Sequence, residues 1–156
     1  MDSFRNLEIL AEQCLLRLLG AYDLQPEPTD NAALSELGKK YGIRFVTSDN
    51  INCKDLTYET PSKAQLARAV GQLVSEFSHY PVEVIQKIQI EQIILCRNLI
   101  VNSKPAAGTL KVGFPYVDTI FIDTDCFSQR DNFGPRTMHH EIFHAIDFRD
   151  SLLGYI

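Results

Sequence analysis

Phe4, Leu7, Leu10, Ala11, Cys14, Leu15 and Leu18 fall on one helical stripe that ends at Gly20. They predict an amphipathic helix over residues 4–20. Pro26 and Pro28 break the pattern in LQPEPTD, a linker or an ordered turn. Thr29 or Asp30 is placed to cap a helix over about 31–40, with Gly42 just past its end. A second stripe (Leu66, Ala69, Val70, Leu73, Val74, Phe77) predicts a helix over residues 63–79, opened by Ser62 and Gln65 as a capping box. Pro81 suits the first turn of a short helix over 81–88, and Gly134-Pro135 opens a last helix from about 135 to 152.

Other stretches carry β signals. Ile43, Phe45 and Val46 predict a short first strand. IEQIILCRNLIV, residues 90–101, is an almost unbroken apolar run of the kind that forms a buried strand. Thr119–Asp123 predicts a short strand with alternating faces, able to pair with an added extended segment. The polar stretches 48–62 and 123–134 read as loops. Pro105, Gly108 and Gly113 make residues 102–118 a loop or an irregular hairpin. Helices, then strands, then a terminal helix imply an α+β fold, with helices packed on a small, mostly antiparallel sheet. We expect residues 1–60 to form an N-terminal helical region and loop, and residues 61–156 to form the domain that carries the chemistry.

Composition narrows the class. The 156 residues are 45 % hydrophobic, enough for a core of ordinary size. No apolar run approaches the roughly 18 residues of a spanning helix. Glu8 and Glu12 interrupt the N-terminal apolar positions, so no secretory signal is read and the cytoplasm is the expected location, with export by another route left open. The net charge of −5 and the scattered basic residues argue against nucleic acid as the main partner. Cys14, Cys53, Cys96 and Cys126 form no CxxC pair. Cys14 and Cys96 read as small core residues, and whether any thiols pair stays open.

Chemistry concentrates in Thr137-Met138-His139-His140-Glu141-Ile142-Phe143-His144-Ala145-Ile146-Asp147. On a helix, residues four apart lie about 40° apart around the axis, so His140 and His144 converge on one point. Two imidazoles so placed can hold Zn²⁺ at about 2.0–2.1 Å each. Glu141, roughly 100° further round, lies beside such a metal and is placed as a general base for water. The apolar Ile142 and Phe143 imply that the helix is buried. Asp147 shares the face of both imidazoles and is the candidate outer carboxylate that holds one of them by a hydrogen bond. Asp150 is set aside, because an unbroken helix turns it away. His139 faces elsewhere and should hydrogen-bond nearby, and His79 suits a helix end. Asp118, Asp123 and Asp125 lack the glycine and Glu of a calcium loop and read as turn acids.

The H-E-x-x-H of His140, Glu141 and His144 resembles the active-site helix of the zincin metallopeptidases. HEIFHAID is similar to gluzincins of the anthrax lethal factor type, and the double His before it resembles bacterial zinc-binding metallopeptidases. That resemblance is sharp over residues 137–150, loose over 90–150 and absent from 1–60. It implies a zincin-like fold, a zinc cofactor, a peptide or protein substrate and peptide-bond hydrolysis with Glu141 as base. Gluzincins take a third ligand, a Glu, from a later helix, and no Glu follows Glu141 here. A fragment, a ligand elsewhere and a degenerate site are the three alternatives. A zincin-fold binding module without catalysis and a structural zinc site closed with the help of Cys126 are the competing functions.

Overall fold

The computed structural model describes residues 29, 31–47, 55–112, 118–128 and 133–153. The helix expected over residues 4–20, its linker, Cys14, Cys53 and the side chain of Asp150 lie outside them.

Each described helix has a local reason for where it starts and which face it buries. In α1 (Ala32–Tyr41) the N-cap is Asn31, whose side chain accepts from the Leu34 amide. This corrects the expectation of a Thr29 or Asp30 cap: Thr29 Oγ1 accepts from the Asn31 amide and so holds the capping residue instead. Gly42 ends α1 at φ 69°, a left-handed conformation that costs glycine little. In α2 (Lys63–Phe77) the Ser62–Gln65 capping box is complete, and Ala69, Val70, Leu73 and Phe77 are buried. Pro81 is the N-cap residue of the short α3 (Val82–Lys87), and α4 runs over Phe133–Leu153.

Six strands form the sheet: β1 (Arg44–Val46), β2 (Leu56–Glu59), β3 (Gln92–Val101), β4 (Lys104–Pro105), β5 (Gly108–Lys111) and β6 (Thr119–Asp123). Its main order is β1-β3-β6-β5. Both central pairings, β1 with β3 and β3 with β6, are parallel, and only β5 pairs antiparallel within this order. The fold is α+β as expected, and its sheet is mixed: β1 and β6 pair parallel with β3, whereas β2 and β4 pair antiparallel with β3 and β5 antiparallel with β6. Returning chain in the same direction needs a long connection, and α2 and α3 supply it between β1 and β3. β2 falls in a stretch expected to be loop. Within it Leu56 and Tyr58 are buried and Thr57 and Glu59 exposed, a period of two hidden in polar sequence.

β3 serves two ladders. Its first half pairs with β1 and β6 and its second half with β2 and β4. The change comes at Asn98, which takes φ 51°. There the Leu99 amide leaves the ladder and donates to Asp123 Oδ2 at 3.1 Å. Asn102 and Ser103 (φ 51° and 65°) then make a two-residue turn into β4.

The larger core lies between the helices and the sheet and includes Leu34, Phe45, Leu73, Phe77, Ile93, Ile122, Met138 and Ile142. A smaller one on the other face joins Val46, Tyr58, Ile94, Cys96 and Phe121. Residues from both sides of position 60 share the larger core. Among the described residues, no helix is long and apolar enough to cross a membrane.

Candidate metal centre

The motif helix is fixed at its start by steric contact. A Cβ at Gly134 would sit 2.3 Å from the Phe127 ring, so only glycine lets the first turn of α4 rest on the 3₁₀ helix Thr124–Ser128. Thr137 Oγ1 donates to the Phe133 carbonyl at 2.9 Å. Met138, Ile142 and Ala145 repeat every three or four residues and bury one stripe of α4 in the core.

That burial decides where the chemistry points. His140 and His144 are exposed at the rim, with ring centroids 4.3 Å apart and Nε2 atoms 2.9 Å apart. This separation is a hydrogen-bond distance, and it is also close to what one metal needs. Two nitrogens at about 2.0–2.1 Å from a tetrahedral zinc lie roughly 3.3 Å apart, so an outward shift of a few tenths of an ångström suffices. The pair therefore fits as two zinc ligands. Among the described residues, no third His, Cys, Asp or Glu joins them in a cluster able to hold a metal.

Glu141 is buried at 6 % exposure, between α4 and β5. Burial pushes its carboxyl pKa up, and the nearby His140 and His144 pull it partly back. With Ala107, Gly108, Phe133, Arg136, Thr137 and His140 it lines a cavity of about 410 Å³. Gly108 allows this close approach: a Cβ there would meet Glu141 Cγ at 3.2 Å.

His139 is turned toward α2. Its Nε2 lies 2.8 Å from Glu76 Oε2 and its Nδ1 2.5 Å from Tyr80 Oη, as its different face implied. Asp147 is exposed, and no hydrogen bond among the described residues ties it to either imidazole. Phe143 corrects an expectation: only Ile142 is buried, and Phe143 is 61 % exposed, because a single stripe of α4 meets the core. The acids at the ends of β6 serve the backbone and neighbours. Asp123 accepts from the Leu99 and Asp125 amides, Asp125 from Gln65 Nε2, and Asp118 pairs with Arg149. Cys126 is buried with its thiol donating to the Asp123 carbonyl, not directed to the imidazoles.

The expected edge strand also moves. β6 has β3 on one side and β5 on the other, so it has no free edge for an added strand; β5 ends the order beside α4. Gly108, Tyr80 and Glu76 were not singled out from the sequence. Gly108 registered only as a separator, and nothing local marks a contact between residues 76 and 139. No family model, curated protein or solved structure matches this chain.

Proposed function

We propose that this chain is a zincin-like, zinc-dependent metallopeptidase that hydrolyses peptide bonds. The observation that carries the reading is one arrangement on α4. Two exposed imidazoles have their Nε2 atoms 2.9 Å apart, and the buried Glu141 lies beside them on an open cavity. His140 and His144 would hold Zn²⁺, which when bound polarises a carbonyl and acidifies the attacking water. Glu141 would accept a proton from the attacking water and return it to the leaving amine. Asp147, three residues beyond His144, is the carboxylate best placed along the helix to steady an imidazole.

The test has two parts. Zinc content, measured after mild dialysis, is expected at no more than one ion per chain and to vanish in His140→Ala/His144→Ala. Glu141→Gln is expected to keep the metal and abolish hydrolysis of a peptide library. Full zinc binding by the double variant overturns the site, and an active Gln variant overturns the base. Zinc without hydrolysis in the unaltered chain supports the binding-module reading instead, which the lack of a third ligand among the described residues also favours.

A further inference from the structure

A second cavity lies beside Asn98, where β3 passes from one ladder to the other. Leu99, Ile100, Pro105 and Ala106 wall a cavity of about 470 Å³, with Asp123 and Asp125 also lining it. Ala107 and Phe133 line both this cavity and the one beside His140 and Glu141, so the two are adjoining parts of one cleft.

We propose that this second cavity receives a long cationic side chain, lysine or arginine, of a peptide lying across His140 and Glu141. The proposal rests on the peptidase reading and adds a substrate preference to it. Charge is the first argument. Asp123 and Asp125 are half-buried, and among the described residues the donors on them are neutral: the Leu99 and Asp125 amides and Gln65 Nε2. These hydrogen bonds fix the carboxylates without cancelling their charge. A cation entering the cavity meets two negative groups, and an acidic side chain is repelled by both. The walls are the second argument. Leu99, Ile100, Pro105 and Ala106 offer apolar surface to a methylene stem, while the charged head stays near the carboxylates. Continuity is the third: Ala107 carries the wall from one cavity to the other, so one extended peptide can occupy both.

Binding of acetyl-Ala-Ala-Xaa-Ala-Ala-amide to the full chain, followed by NMR titration, tests this without requiring turnover. With Xaa as lysine, affinity is expected to exceed that of norleucine by roughly 3–10-fold, the range of one or two partly screened ion pairs. Glutamate should bind more weakly than norleucine. The shifted amides should include Ala106 and Ala107. Asp125→Asn keeps an acceptor for Gln65 and is expected to erase most of the lysine preference. Should that variant fail to fold, salt reads the same charge in the unaltered chain: at 1 M the lysine advantage should collapse while norleucine affinity holds. Equal affinity for lysine and norleucine, or a preference that survives both Asp125→Asn and high salt, overturns the proposal. Zinc content of the same samples reads the metal site separately. A chain that holds zinc without preferring lysine loses this inference alone, and one that does neither loses the peptidase reading as well.

Discussion

Gly108→Ala tests the contact on which the candidate site is built. A Cβ at this position would lie 3.0 Å from Thr137 Cγ2, 3.1 Å from the Phe121 carbonyl oxygen and 3.2 Å from Glu141 Cγ. Carbon pairs are most favourable near 3.5–4.0 Å and carbon–oxygen contacts near 3.3–3.6 Å, so all three neighbours are too close. Two of them cannot readily give. The Phe121 oxygen belongs to the backbone of β6, which β3 and β5 hold from both sides. Thr137 is buried, β-branched and tied through its hydroxyl to the Phe133 carbonyl. β5 and α4 must therefore part by a few tenths of an ångström. Overpacking of this kind costs about 1–3 kcal/mol. For a domain of this size that lowers the melting temperature by roughly 2–12 °C. Urea unfolding followed by circular dichroism measures the cost, with an unchanged slope showing that only stability moved. Gly71→Ala is the control. Gly71 lies inside α2 with nothing within 4 Å of its added Cβ, so that change should stabilise by about 0.4–1 kcal/mol. Because Glu141 is one of the displaced neighbours, Gly108→Ala should also lower any hydrolytic rate more than it lowers zinc binding. If Gly108→Ala is as stable as the unaltered chain, α4 does not pack on β5 as described.

Three further outcomes are expected. Ser103→Gly should stabilise by roughly 0.5–1 kcal/mol in urea unfolding, because Ser103 occupies the second left-handed position of the β3–β4 turn, where Asn-Gly is preferred; a loss of stability would contradict the turn geometry. Burial pushes the Cys126 thiol up to about 12, so an unfolded thiol ionises first and stability falls as pH rises from about 8.5 toward 12. Unfolding at pH 8 and pH 10 should therefore show a smaller alkaline loss in Cys126→Ala, and an equal loss would count against that environment. Asp147→Asn should weaken zinc binding by roughly 10–100-fold in a chelator competition if its carboxylate steadies an imidazole, and unchanged affinity would remove it from the site.

Features set by neighbours along the chain were legible before the structure was known. Ser62 and Gln65 cap α2 through bonds spanning three residues, and Ala69, Val70, Leu73 and Phe77 of the expected stripe are buried, while Val74, at its edge, stays exposed. His140 and His144 converge because one helical turn separates them, whatever the helix packs against. Pairing partners were not legible, since strand direction depends on chain far away in sequence. The run 90–101 was recognisable as a strand, but nothing local told that Gln92–Cys96 would run parallel to Thr119–Asp123. Nor did the four residues of β2 stand out from polar surroundings, because their alternation gains meaning only against the second half of β3. Phe143 illustrates the limit within one helix: apolar character fixed its preference for burial, but the single face of α4 that meets the core left it exposed. Gly108 is the same lesson at the site. Its sequence neighbours make it a loop glycine, and only the packing of β5 on α4 turns the missing side chain into room for Glu141.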